Sequence, residues 1–497
     1  MPSKVSKIKA LARDSRVPTR KTYTAIATLE SIHPFLQYFR PIVTNSFNIG
    51  VTRPDSTDQA VAAWRKVRLP SRETALLSCA LITYRILLDL GYSKIVAVVY
   101  GYQDFRAEEL PERWLLSWTI LFGALPLIVR AMKRESISGN VIAVLIFISL
   151  VPTTTLIAYD SRYPLTYICL ILLYWIVLLL SCELIPPIRI FDRPLRSHLP
   201  HGLIASVLAT TVLFISWRFT GLRLHFGLFD VYDLRTEARG FDTSPLIGYL
   251  ATSADNILPV LIAYHLRRRW MLVSLALGVV MLLNYGISGT KQVLFLLIFA
   301  ALSARVPEGI RLNKFIFICT VLVVIAAIVE FVIAGSVVLT TLSLYRIHFI
   351  PAHLHWVYYD FFQQNPLLYL TQSALKFFVD SPYTENVQFL IGEYQIGDFT
   401  ARANNGLFSD AYMNFGALGV IPFALAVALV FKILDGAAEE LPSGVRFVVV
   451  IALSFVFLGL PIFTALLSAG VALLAIMLST LPRHDVPSTS SKKVSIY

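Results

Sequence analysis

The sequence predicts an all-α, polytopic membrane protein of about 12 transmembrane helices. Three observations carry this. Of its 497 residues, 56% are hydrophobic and only 15% charged, where a soluble domain has about 25% charged residues. Apolar stretches of about 17–25 residues, the length of a bilayer-spanning helix, recur along the chain. The basic residues collect in every second connection, as the positive-inside rule requires. This composition excludes an ordinary soluble enzyme, a disordered chain and a nucleic-acid binder, although the net charge is +12.

Residues 1–73 hold 13 Lys/Arg and no apolar run long enough to cross, nor a cleavable secretory leader. They read as a cytoplasmic segment resting on anionic lipid, with a regulatory role as the alternative. Residues 74–481 form the membrane domain. The expected spans are 74–91, 114–131, 140–158, 164–184, 201–219, 244–265, 270–286, 291–304, 315–340, 411–431, 446–461 and 463–481. Residues 482–497 form a short cytoplasmic tail. With the N-terminus inside, the inner segments hold 30 basic residues and the outer loops 12. Both termini are therefore expected in the cytoplasm.

Two outer segments stand out, 220–243 and 341–410. Long loops in a compact protein are usually functional, so the chemistry is expected on the outer face. Nucleotide-cradling and zinc-helix motifs are absent from the sequence. The four cysteines fall in apolar runs and read as packing residues. His353 and His355 make an H-x-H pair without a third ligand of clear spacing, and no metal or other cofactor is expected. Asp230 and Asp233 form a lone D-x-x-D, read as a solvated loop.

Residues 341–362, TLSLYRIHFIPAHLHWVYYDFF, hold three of the nine histidines. His353 and Asp360 are seven apart and share a helical face. Pro351 suits a first helical turn and is expected to break the alignment with Arg346. The aromatic residues, Tyr345 and Tyr359 among them, suit an interfacial belt, sugar stacking or core packing. Arg346, a charge at the end of a long apolar helix, wants an anionic partner. In 230–240, Arg235 and Arg239 are four apart on one face. They repel unless an anion such as a diphosphate lies between them, or local counter-charges neutralise them. Arg402, Asn404, Asn405, Asp410 and Asn414 lie at the mouth of the next span and fit a polar cavity. Arg85 and Asp89 read as a structural pair inside a span. Asp255 and Glu330 read as intramembrane carboxylates facing a polar cavity or pathway. Lys291 can snorkel or reach a lipid diphosphate.

The segments DVYDLR and PLIGYL in 230–250, SGTK at 288–291, SLYRIHFIPAHLHWVYYDFF at 343–362 and NNGLFSDAYMNFGALGV at 404–420 resemble the bacterial oligosaccharide repeat-unit polymerases, the O-antigen and enterobacterial-common-antigen group. The likeness covers roughly 200–430, and the long basic N-terminal segment departs from it. It implies a GT-C-like architecture in a bacterial inner membrane, with the active site facing the periplasm. It implies transfer of a growing glycan from undecaprenyl diphosphate to a hydroxyl of a new lipid-linked repeat unit. Partners would be lipid-linked oligosaccharides, membrane lipid, a chain-length regulator and a flippase. Cationic stabilisation of the diphosphate would come from Arg346, Arg235, Arg239, Arg402 and Lys291, and a base from His353, His348 or Asp360. A ligase that moves finished polymer, a lipid-linked oligosaccharide flippase and a secretion scaffold are the alternatives.

Overall fold

The computed structural model describes residues 71–191, 199–225, 227, 231–376 and 378–483. Most of the basic N-terminal segment, Asp230 of the D-x-x-D pair and the tail beyond 483 lie outside them. The described residues form helices and no strand. Nine of these helices are long and apolar enough to cross a membrane: Arg72–Val99, Pro111–Met132, Ile137–Tyr159, Leu165–Leu184, Pro200–Thr220, Pro245–Arg267, Met271–Ser288, Leu312–Ala334 and Phe408–Ala437. The other three expected spans are shorter than full crossings. Lys291–Leu302 has 12 residues and Ser443–Gly459 has 17. The last run is divided into Ile462–Leu467 and Val471–Thr480 by a bend at Gly470.

The outer surface of the bundle is apolar. Leu272, Ile333 and Leu418 are more than three-quarters exposed, which suits lipid contact and not water. Polar and charged groups turn inward instead. Helix Ile137–Tyr159 is the hub, buried at every residue from Ile137 to Ala158. Its first turn is capped by the Ser136 hydroxyl, which accepts from the Gly139 amide at 3.1 Å. Asp435 accepts from the Ser138 amide (2.7 Å) and hydroxyl (2.6 Å), locking helix Phe408–Ala437 onto the same end.

The two ends of the bundle differ. At the Arg72 end, Glu73 meets Arg311 and Lys314, Glu183 meets Arg134, and Glu439 meets Arg189. Pro482 and Ala437 lie there too, held by Arg268 and Arg483. The first and last described helices therefore start and finish at one end. Helix Val231–Arg239 and residues 387–405 lie at the opposite, Val99 end.

Two proline-containing helices carry a wide turn just upstream of the proline. Residues Ile146–Leu150 precede Pro152, and Thr341–Phe349 precede Pro351; both adopt the i→i−5 pattern. A proline lacks the amide proton, and a π turn relieves the clash of its ring with the preceding carbonyl. The Val151 amide bonds the Ile146 carbonyl. The next bond in that series would run from Pro152 to the Phe147 carbonyl, and Pro152 cannot make it. The Tyr84 hydroxyl donates there instead, at 2.8 Å. Tyr84→Phe is therefore expected to cost about 1–3 kcal/mol, read as a lower melting temperature of the purified protein. An unchanged melting temperature would show that another group satisfies that carbonyl.

Pro351 does not interrupt its helix, contrary to expectation. Phe349 and Ile350 keep helical dihedrals, so 338–364 is one continuous run, with the π turn absorbing the proline. Glu330 begins it. Its carboxylate accepts from the Val338, Leu339 and Thr340 amides at 2.7–3.2 Å, so Glu330 is a helix cap and not a pathway carboxylate. The run then packs against two helices: Tyr345 stacks on Tyr100, at the end of Arg72–Val99, with ring centroids 3.9 Å apart, and His355 Nε2 meets the Ser149 hydroxyl of the hub at 3.0 Å.

Candidate functional site

At the Val99 end, helix Val231–Arg239 sits on the turn that closes Met271–Ser288. Gly289 has φ 58°, and a Cβ there would stand 2.9 Å from the Val231 carbonyl oxygen and 3.1 Å from the Leu234 Cβ, so only glycine fits. Val231 and Leu234 are buried in that contact. Glu237 pairs with Arg223 at 2.6 Å rather than with an arginine of its own helix. Lys291, two residues after Gly289, starts helix Lys291–Leu302 on the same platform and is half-buried.

The second half of the site comes from residues far away in sequence. Phe389, on helix Val387–Ile396, lies beneath two guanidinium groups. Arg239 is 5.8 Å from its ring centroid and Arg402 is 5.4 Å, each a cation–π distance. Neither makes a hydrogen bond or ion pair with a described residue. Burial, then Arg239, then Arg235 hold the Arg402 guanidinium below its usual pKa. Arg235, Arg239 and Arg402 thus form one cationic group whose members oppose one another's charge. Phe389 had no signal in the sequence.

Asn404 and Asn405 line a neighbouring cavity of about 210 Å³ with Tyr358, Gln372 and Gln388. Asn404 is exposed. Asn405 is buried and works inward: its amide donates to the Pro351 carbonyl (3.2 Å) and the Ser409 hydroxyl (2.9 Å), beside His355 Nδ1. Asp410 and Asn414 likewise knit the corner. Asp410 accepts from the Ile462 amide at 2.6 Å and the Asn414 amide at 2.9 Å. Between them the backbone passes very close. A Cβ on Gly406 would stand 2.3 Å from the Phe457 carbonyl oxygen and 2.5 Å from that of Leu460. Gly406→Ala is expected to destabilise the protein by about 1–3 kcal/mol, visible as reduced membrane level and melting temperature. Wild-type values for both would show that the corner can open at no cost.

The run 338–364 distributes its candidates differently. Arg346 is exposed and makes no hydrogen bond or ion pair with a described residue. The charges acting on Arg402 are those of Arg239 and Arg235. His348 is enclosed: its Nδ1–H donates to the Ser343 carbonyl at 2.9 Å, and Nε2 has no partner among the described residues. His353 is enclosed as well, with Nδ1 at 3.1 Å from the Tyr163 hydroxyl and Nε2 unpartnered among the described residues. Tyr345 is taken up by its stack on Tyr100, and Tyr359 by the Thr166 hydroxyl at 2.8 Å. Asp360 accepts from the Tyr394 hydroxyl at 2.6 Å and opens into a cleft of about 540 Å³ that Asp104 and Arg162 also line.

Arg162 went unnoticed in sequence. It is forked between Asp104 and Asp160, with its Nη2 2.5 Å from Asp160 Oδ2. Burial opposes ionisation of Asp104, and Arg162 outweighs it, so the carboxyl stays below the ordinary range. The Asp160–Arg162 spacing in a short loop was the available signal; its partner Asp104 lies 58 residues away from Arg162. Among the described residues no cluster of three or more His, Cys, Asp or Glu could hold a metal ion.

Comparison with protein-family models, with curated proteins and with solved structures finds no match to this chain.

Proposed function

We propose that this chain is a polymerase of lipid-linked oligosaccharide repeat units, transferring a growing glycan from undecaprenyl diphosphate to a hydroxyl of a new lipid-linked unit. The observation that carries the reading is the cationic group. Arg239 and Arg402 converge on Phe389 without a counter-ion among the described residues, at the end of an apolar bundle where a lipid headgroup would lie. Like charges held together in this way are unfavourable until an anion arrives. A diphosphate matches the guanidinium fork and carries enough charge to bind several at once.

In this reading the nine long helices and the three short ones make twelve crossings of a GT-C-like enzyme in a bacterial inner membrane. The basic Arg72 end is cytoplasmic and the arginine group faces the periplasm. The acceptor oxygen attacks the anomeric carbon, the bond to the diphosphate oxygen breaks, and the electron pair leaves with the diphosphate. Arg402, Arg239 and Arg235 stabilise that growing charge, with Lys291 as the further cation the resemblance implies. Asp360, open to its cleft, takes the acceptor proton. His353 lies near the same Asp104–Arg162 wall, whereas His348 is committed to the Ser343 carbonyl. Helix Val387–Ile396 joins the two halves. It carries Phe389 under the arginines and Tyr394 on Asp360, about 7.5 Å apart along its axis.

The test is a deletion strain complemented with wild type, Arg402→Ala or Arg346→Lys, with surface polysaccharide run on a gel and protein levels checked. Arg402→Ala is expected to lose the ladder while single repeat units are still transferred. Arg346 lies outside the arginine group but holds the donor diphosphate in the resemblance, so Arg346→Lys is expected to extend chains at least about tenfold more slowly, because a point charge replaces a fork; wild-type extension would remove Arg346 from the mechanism. Loss of all surface glycan on deletion would favour the flippase or ligase. An unchanged ladder on deletion would sink the reading.

A further inference from the structure

The cleft beside Asp360 differs in chemistry from the arginine group. Its volume, about 540 Å³, falls within the roughly 300–1,000 Å³ of small-molecule sites. Its walls carry the carboxylates of Asp104 and Asp360, the phenol of Tyr394 and the amide of Gln395. The one guanidinium on its wall, Arg162, is not available to a ligand's charge. It is spent on Asp104, on both oxygens of Asp160 and on the Asp104 carbonyl. Asp104 is paired with both Arg162 and Arg106, so Asp360 is the wall's carboxylate without a cationic partner among the described residues, and its charge disfavours a diphosphate or a uronate beside it.

Hydrogen-bonding capacity is left over. Asp360 Oδ2 accepts from Tyr394, but Oδ1 bonds no described residue. The Gln395 amide has no partner among them either. Tyr394 is about half exposed, at 45%, and gives the cleft an open aromatic flank. Burial first, then the Asp360 hydrogen bond, push its hydroxyl up to about 12, so it stays a donor. The opposite wall is stiff. Asp104 is held at φ 71°, with its amide on the Gly101 carbonyl at 3.1 Å and its own carbonyl gripped by Arg162 at 3.0 Å. The free Asp360 oxygen, an amide and a ring face on a fixed frame suit a ligand rich in hydroxyls with apolar C–H faces. They do not suit an anion.

We propose that the cleft formed by Asp104, Asp360, Tyr394 and Gln395 binds the sugar portion of the acceptor glycan, selecting neutral or amino sugars over uronic acids. This rests on the reading of the chain as a glycan polymerase and assigns the acceptor side of that site. Asp360 Oδ1 accepts a sugar hydroxyl, Gln395 supplies a donor and an acceptor to its neighbour, and the Tyr394 ring covers a C–H face.

The full-length chain in lipid nanodiscs tests this by saturation-transfer NMR. The probes are methyl glycosides and disaccharides of glucose, galactose, mannose, rhamnose, N-acetylglucosamine and glucuronic acid. Farnesyl diphosphate is titrated in parallel to report on the arginine group. At least one neutral or amino sugar is expected to bind and glucuronate not to. Asp360→Asn and Gln395→Ala are each expected to weaken sugar binding by about tenfold, with farnesyl diphosphate affinity and melting temperature unchanged. Sugar binding without farnesyl diphosphate binding would uphold the cleft and count against the polymerase reading. Farnesyl diphosphate binding with no sugar bound, sugar binding indifferent to both substitutions, or glucuronate bound as well as the neutral sugars would each overturn the cleft and leave the arginine group standing.

Discussion

Arg402→Ala is expected to weaken binding of farnesyl diphosphate by about ten- to a hundredfold without lowering the melting temperature of the ligand-free protein. The two halves of this expectation have one cause. The Arg402 guanidinium faces the charges of Arg239 and Arg235, so in the empty site it is electrostatically opposed. Its cation–π contact with Phe389, at 5.4 Å, returns about 0.5–1 kcal/mol at most for an exposed pair. Removing it relieves repulsion in the free protein and removes attraction in the bound one. Arg239→Ala should behave alike, and the double substitution should fall short of the sum, because each arginine raises the cost of keeping the other. Raising salt should weaken wild-type binding more steeply than that of either variant. If Arg402→Ala melted well below wild type, the arginine would be a structural strut and the anion site would have no basis.

The arginine group was half legible. Arg235 and Arg239 are four apart on a short amphipathic helix, and helical spacing alone puts them on one face. Arg402 could be suspected only for standing at the mouth of a span. What joins it to the pair is the packing of Phe389, and nothing local marks that phenylalanine among the chain's 32. The carboxylate cleft was less legible still, because Asp104, Arg162 and Tyr394 come from three separate connections. Among the helices, long apolar runs revealed the nine full-length ones. The shorter three satisfy an apolar window while falling short as regular helices. Within 338–364 the sequence shows a helix from Pro351 onward, but not that it continues unbroken through Arg346 from the residues before it. The π turn that lets Pro351 sit inside it leaves no mark on a 3.6-residue pattern.

Asp89→Ala is expected to be among the most destabilising single substitutions in the bundle, at about 3–5 kcal/mol. Arg85 is completely buried. Its Nε lies 2.7 Å from Asp89 Oδ1, its Nη1 donates to the Thr154 hydroxyl at 2.9 Å, and its Nη2 to the Ser117 hydroxyl at 3.2 Å. Its guanidinium also lies 5.1 Å from the Trp118 ring centroid. One side chain therefore ties helices Arg72–Val99, Pro111–Met132 and Ile137–Tyr159 together. Removing Asp89 leaves that charge enclosed with only neutral hydroxyls, and neither water nor lipid can replace the carboxylate. Replacing both residues by leucine should cost far less than Asp89→Ala alone, because no charge then remains to be solvated. The exposed Arg189–Glu439 pair serves as the control: its side chains are 58% and 47% exposed, and Glu439→Ala should cost about 0–1 kcal/mol. Thermal melts of the purified variants, arranged as a double-mutant cycle, measure the difference. A small cost for Asp89→Ala would mean that the hydroxyls alone suffice for Arg85, and that the three helices are held together by their apolar packing.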